Sequence, residues 1–274
     1  VRTTSLWPSL FRSRIQHLVV SGKRPPWPPS RLPCHFQAVP LPSTFSYQPV
    51  ERRLRITRGI LEVLSEHHHP VTIVTKSTLV LRDLDILVPM AKRNLACVMI
   101  SVTTLDRDLA RRMEPRAAPP RQRVETIRLL AEAGVPAGVL ASPMIPGLND
   151  VELERILEVC AAAGARSASC MLVRLPLEAG QIFTEWLERH HPLRGARVLS
   201  LVRQAWEGKL NEPEFGKRMR GTGIYADMLH RRCQVACRRL GLDRDEKPLD
   251  VTQFRLPPRA GDQRSLFEKP DEVP

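Results

Sequence analysis

From Pro49 onward, short runs of β-branched and apolar residues alternate with longer stretches of helical period, and this alternation constrains the fold more than any other feature. Val71-Thr-Ile-Val-Thr75, Cys97 to Val102, Ala137-Gly-Val-Leu-Ala141 and Ser167 to Val173 have the length and composition of buried parallel strands. Val50 to His67, Leu81 to Arg93, Pro119 to Gly134 and a segment from Asn149 or Asp150 to Ala163 read as helices between them. Gln181 to His190 and Arg197 to Gly208 extend the series. Gly134 and Gly164 stand where the residue closing a helix is expected, and Asp83 and Asp85 stand near a helix N-terminus, where negative charge is favoured. The order α-β-α-β-α-β-α-β-α implies an α/β chain with a parallel sheet and right-handed crossovers. An open doubly wound sheet and a closed or partial barrel both satisfy it. In either, ligands gather at the carboxyl ends of the strands.

Those strand ends share a chemistry. Thr75-Lys76-Ser77 follows the first run, Ser101-Val-Thr-Thr-Leu-Asp106 the second, Ser142 to Asp150 the third and Leu172-Val-Arg-Leu-Pro176 the fourth. One rim therefore offers Lys76, Ser77, Ser101, Thr103, Thr104, Arg116 and Arg174. Hydroxyls suit a ribose, and cations suit a carboxylate or phosphate. Residues 111–123, RRMEPRAAPPRQR, hold three prolines, five arginines and one glutamate between a strand and a helix. They read as a long, stiff, functional loop, since most such connections are about two to six residues long.

Charge is unevenly placed. The formal net charge is +13, and residues 1–50 contain no Asp or Glu while carrying Arg2, Arg12, Arg14, Lys23, Arg24 and Arg31. Segment 1–46 is rich in proline and lacks sustained periodicity. It reads as a disordered basic leader, as a transit peptide, or as non-native sequence from a displaced reading frame, the change near Tyr47 being abrupt. Residues 47–195 form the αβ unit, 196–244 a helical C-terminal extension, and 245–274 a Pro-rich, charged tail expected to be disordered. Six scattered cysteines in a chain this long make no disulfide framework, which points to a reducing, cytoplasmic compartment. No apolar run is long enough to span a membrane. His67-His-His69 and His190-His191 read as helix-terminal residues, not as ligands. The C-terminal arginines read as a solvated surface or a phosphate-binding face.

The strings TKS (75–77), SVTTLD (101–106), EPRA (114–117), PMIPGLND (143–150) and RMRGTGIYAD (218–227), with YQPVERR (47–53), resemble the radical SAM proteins related to spore photoproduct lyase. The resemblance runs over residues 47 to 244. It implies a partial (β/α)6 TIM-like barrel of parallel strands, incomplete at the N-terminus, with S-adenosylmethionine and a [4Fe–4S] cluster at its carboxyl rim. Position by position, it implies that Lys76 and Ser77 face S-adenosylmethionine, that Ser101 meets the ribose, and that Arg116 approaches the methionine carboxylate or substrate. Ile145 and Gly147 correspond to the turn that packs on adenine. Glu114, Arg220 and Tyr225 fall on the substrate side. In an intact parent, the resemblance implies lyase-like radical chemistry on a DNA photolesion, with nucleic acid and a reductant protein as partners.

The departure from that pattern is as informative. Radical SAM chemistry rests on cysteine thiolates spaced CxxxCxxC after the first strand, and iron–sulfur clusters demand thiolate ligation. Before Tyr47 the chain has Cys34 alone, and the first strand is unrecognisable. Cys233-Gln-Val-Ala-Cys237 has the CxxxC spacing without a third partner in sequence and reads as helical core, as do Cys97, Cys160 and Cys170. No metal ligand or catalytic residue is assigned. The chain is expected not to hold the cluster and to be inactive in this form. The alternative reading is a barrel remnant that binds a nucleotide or nucleic acid without catalysis.

Overall fold

A computed structural model of the chain describes residues 39–41, 47–211, 221–243 and 248–255. Five parallel strands form one sheet in the order β1 (Val39–Leu41), β2 (Val71–Thr75), β3 (Ala96–Ser101), β4 (Ala137–Met144), β5 (Ser167–Leu172). The helices are α1 (Glu51–Leu54), α2 (Ile56–Glu66), α3 (Leu84–Lys92), α4 (Arg107–Met113), α5 (Pro120–Glu132), α6 (Leu153–Ala162), α7 (Ala179–His190), α8 (Gly195–Gln204) and α9 (Ile224–Leu240).

The strand order decides between the two architectures. A doubly wound sheet reverses its order at a switch point, which sends helices to both faces. Here the order is strictly sequential, so right-handed crossovers place successive helices on one side and the sheet curls into a partial barrel. Side chains alternate between the two faces of the sheet with the strand period of two. Val71 and Ile73, Ala96, Val98 and Ile100, and Ala137, Val139 and Ala141 turn toward the helices. They pack in one continuous core with Leu61, Leu64, Leu87, Met90, Ile127, Leu130, Leu153, Ile156 and Leu157. The alternate residues line the concave face. Thr72 Oγ1 and Cys97 Sγ lie 3.3 Å apart there, and Gly138 faces Met99 and Ser167 so closely that a Cβ would sit 2.4 Å from Met99 Sδ. Toward the carboxyl ends, Val74, Leu140 and Ser169 on this face are only partly buried.

Several boundaries differ from the sequence reading, each for a local reason. Segment 50–67 is two helices, because Arg55 adopts a left-handed φ of 50°. The Glu51 carboxylate then receives the Thr57 backbone N–H at 3.1 Å, at the start of the second helix. A 3-10 stretch, Thr78–Asp83, precedes α3, and another, Asp150–Glu152, precedes α6. Asn149 does not cap that helix with its side chain, and Asp83 makes no capping bond. Asp83 is instead wholly buried, accepting from Tyr47 Oη at 2.9 Å, Arg58 Nη1 at 3.1 Å and Arg82 Nε at 2.9 Å.

Strand β1 lies inside segment 1–46, where no strand was expected, and pairs Val39 with Val71 and Leu41 with Ile73. The rest of that segment lies outside the described residues. The C-terminal tail also differs from expectation. Residues 248–255 are ordered against the amino ends of β2 and β3, with Leu249 only 5% exposed against Cys97. Cys233 and Cys237 are core residues, as their helical spacing suggested, and so are Cys160 and Cys170.

Candidate functional site

The long loop is shorter than the sequence suggests. Asp106 caps α4, accepting from Asp108 N at 2.8 Å and Leu109 N at 3.2 Å, so Arg111 to Met113 are the last turn of a helix. Pro120 opens α5, where its missing N–H costs nothing. The true connection is residues 114–119, which is within the ordinary range. What the proline-bounded turn achieves is placement of Glu114. The Ala117 N–H returns to Glu114 O at 3.0 Å, and the Glu114 side chain turns inward over the ends of β2 and β3.

Glu114 is the centre of a charged cluster. Its Oε1 receives a hydrogen bond from Lys76 Nζ, at the end of β2, and another from Thr103 Oγ1 at 3.0 Å. Its Oε2 receives Arg123 Nη2 at 2.6 Å. Arg123, on the first turn of α5, is 2% exposed. Its Nη1 donates to Ser101 O at 3.1 Å and its Nε to Ala118 O at 2.6 Å. One guanidinium thus joins the end of β3, the connecting turn and the carboxylate. Burial alone would raise the Glu114 pKa, but the adjacent Lys76 and Arg123 outweigh it and hold the carboxyl below its ordinary value.

A second layer of bonds joins the ends of β3 and β4. Ser101 Oγ donates to Ser142 O at 2.9 Å, and Thr103 Oγ1 also reaches Ser142 O at 3.2 Å. Asn149, fully buried, donates to Thr103 O at 2.7 Å and Pro143 O at 3.0 Å, and accepts from Ile145 N at 2.6 Å. Glu152 accepts from Thr104 Oγ1 and from Leu105 N, the latter at 2.8 Å. Asp150 then links this loop to α9: it accepts from Gly147 N at 2.8 Å and from the Tyr225 hydroxyl. Arg232 donates to Asp150 O at 3.0 Å and Glu154 Oε2 at 2.7 Å.

Of the expected site residues, Lys76, Ser101 and Glu114 come together in this network. Ser77 instead caps the following 3-10 turn through Leu79 N at 3.2 Å. Arg116 is exposed on the connecting turn. Ile145 is 1% exposed and belongs to the core, and Gly147, at φ 73°, backs onto Leu201 of α8. Tyr225 is tied to Asp150, away from the Glu114 cluster. Arg220 lies outside the described residues. Sequence reading missed Arg123 and Asn149. Arg123 could have been noticed as the one basic residue of PRQRVET spaced to share a helix face with Pro120 and Ile127, which are both buried.

Residues 44–160 match the family model described as Radical SAM superfamily. Over that stretch, which is less than half of the chain, the sequence is similar to the radical SAM superfamily. It is 31% identical over 164 residues to an uncharacterized protein of Mycobacterium tuberculosis, covering 59% of this chain and 48% of that one. It is 28% identical over 147 residues to an uncharacterized protein of Methanocaldococcus jannaschii, covering 54% of this chain and 53% of the other. The chain therefore spans about half the length of these relatives. Among solved structures, a spore photoproduct lyase variant aligns over 68% of this chain and 53% of its own, at 15% identity and a TM-score of 0.43.

The cofactors usual in that superfamily meet these residues unequally. Thiolates are what an iron–sulfur cluster requires. Among the described residues, Cys97, Cys160, Cys170, Cys233 and Cys237 are all buried, and no group of three or more His, Cys, Asp or Glu is arranged to hold a metal ion. Cys97 sits at the floor of the barrel, and the other four lie in the layer between sheet and helices, none of them at the rim. Burial pushes the Cys160 thiol up to about 12. The cysteines described here do not fit a [4Fe–4S] cluster. The rim keeps polar groups of the kinds an adenosyl amino acid uses, but most are engaged: the Ser101, Thr103 and Thr104 hydroxyls are buried and bonded to Ser142 O, Glu114 and Glu152. It combines the hydroxyls of Ser101, Thr103 and Thr104 with two cations against one carboxylate, and the Lys76 side chain remains 35% exposed.

Proposed function

We propose that the chain binds an adenosyl ligand of the S-adenosylmethionine type at the carboxyl rim, and that in this form it does not assemble the iron–sulfur cluster. The observation that carries the reading is the Lys76–Glu114–Arg123 cluster, set over the strand-end hydroxyls in a barrel similar in sequence to that superfamily. Lys76, whose side chain is 35% exposed, would take the ligand carboxylate, and Ser101 and Thr103 would brace the strand ends beneath it. Arg123 would hold Glu114 in place. In a loaded enzyme of this superfamily, the cluster and S-adenosylmethionine supply the radical chemistry while the protein orients them. The strings around Lys76, Ser101, Glu114, Ile145 and Tyr225 favour a spore photoproduct lyase-like parent reaction, with a reductant protein and a cytoplasmic setting as parts of the same reading.

Calorimetric titration of S-adenosylmethionine into the chain as purified tests the binding half. Saturable binding that weakens at least about tenfold in Lys76→Ala supports it, a factor worth about 1.4 kcal/mol. No binding, or equal binding by the variant, overturns it.

A second reading is favoured by exposed Arg107, Arg111, Arg112 and Arg116 beside the rim and by the net charge of +13. It takes the barrel as a non-catalytic nucleic-acid binder. Its signature is affinity for single-stranded DNA that falls steeply and linearly in log–log form with salt.

A further inference from the structure

Residues 248–255 cross the end of the barrel opposite the rim. They have no regular secondary structure, and hydrogen bonds tie them to the turns that enter β2 and β3. Asp250 N donates to Asn94 O at 2.9 Å, and Asn94 Nδ2 returns to Pro248 O at 2.7 Å. Gln253 Nε2 donates to Arg93 O at 2.9 Å. Arg255 N donates to His67 O at 2.9 Å, and Phe254 meets the His69 ring edge-on at 5.2 Å between centroids. Asp250 Oδ1 accepts from Thr252 N at 2.8 Å, which holds the segment in a turn of its own.

Only one residue of this segment is buried. Leu249 is 5% exposed and packs on Cys97, and these two form a small cluster separate from the main core. Cys97 in turn contacts Thr72 across the concave face. Leu249 is thus a stopper in the lower mouth of the barrel. The sheet above it is held by the main ladder and by the helix-facing core. One buried apolar anchor, one half-buried ring contact and bonds at exposed positions belong to the low-stability end of a fold, where local opening precedes global unfolding.

We propose that residues 248–255 are a releasable strap that closes the lower mouth of the barrel and opens without unfolding the sheet. Opening withdraws Leu249 and bares the Cys97 thiol and the floor of the concave face to solvent. The rim network is built on the other ends of the same strands and needs none of the strap's bonds.

Pulsed maleimide labelling of the full chain, read cysteine by cysteine by mass spectrometry, tests this. Cys97 labels fastest of the five cysteines at 97, 160, 170, 233 and 237 in the parent. In Leu249→Ala its rate rises at least about tenfold while Cys160, in the main core, is unchanged. Asn94→Gly is the second variant: it keeps the left-handed backbone of that position, φ 58°, and removes only the side-chain donor. It should raise Cys97 labelling with no change at Cys160. Two results overturn the proposal: Cys97 labelling that stays at parent level in both variants, or labelling of Cys97 and Cys160 that rises together.

Discussion

Glu114 and Arg123 are joined at 2.6 Å across the start of α5, and the arginine that makes the contact is 2% exposed. The pair fixes the connecting turn over the rim because the same guanidinium also binds Ser101 O and Ala118 O. Removing Arg123 leaves Glu114 to Lys76 and Thr103 and strips Ser101 O and Ala118 O of their donor, at about 1 to 3 kcal/mol. Arg123→Ala should therefore lower unfolding free energy by about 1 to 3 kcal/mol in urea titration. A loss under about 1 kcal/mol, the range of exposed pairs, would show that the turn is held by other means.

The same carboxylate sets an acid limb. Its folded pKa is depressed below the ordinary 4.5 by Lys76 and Arg123 against the opposing effect of burial. The ionised form therefore contributes stability above the unfolded value, and that contribution is lost as pH falls through the folded pKa. Comparing the chain with Glu114→Gln, the stability difference should be constant at neutral pH and shrink below about 4.5. A difference that does not change with acid would separate Glu114 from the pH response.

The two tyrosines, Tyr47 and Tyr225, should titrate apart. Burial and then the Asp150 contact push the Tyr225 phenol up to about 12, while burial and the Asp83 carboxylate carry Tyr47 higher still. Both folded pKa values lie above the unfolded 10.0, so the protonated phenols contribute stability below pH 10 that is lost as pH rises through the folded values. Ultraviolet titration of the folded chain should show no phenolate at pH 10 and a first ionisation near 12, removed in Tyr225→Phe. Half-ionisation of either phenol at pH 10 would contradict the buried placements.

Gly138 offers a packing test of the concave face. A Cβ there would lie 2.4 Å from Met99 Sδ and 2.5 Å from Ser167 Oγ. Gly138→Ala should cost about 1 to 3 kcal/mol by overpacking, and Met99→Ala in the same chain should recover part of it. Equal stability of parent and single variant would mean that this face is open at its floor.

The parallel sheet was legible because short apolar runs alternate with helical stretches, but its sequential order was not, since that pattern alone fits an open doubly wound sheet as well as a barrel. Helix α4 was not legible: Leu109 and Ala110 are its buried residues, and the flanking arginines read as loop. Lys76, Ser101 and Glu114 could be named from strand-end chemistry, since a position at a strand end is a matter of sequence. The roles of Arg123 and Asn149 could not, because a helical arginine looks like a solvated face until its partner's position is known. Leu249 had no periodic neighbours to mark it as buried, and β1 is only three residues long.

The most direct test of the central claim is iron and acid-labile sulfide analysis after anaerobic reconstitution and desalting, with visible absorption recorded on the same sample. The account predicts iron well below one cluster per chain and no sulfide-to-iron charge-transfer band, while S-adenosylmethionine still binds. A stable four-iron, four-sulfide stoichiometry on this chain would contradict it and would require thiolates that the described cysteines do not supply.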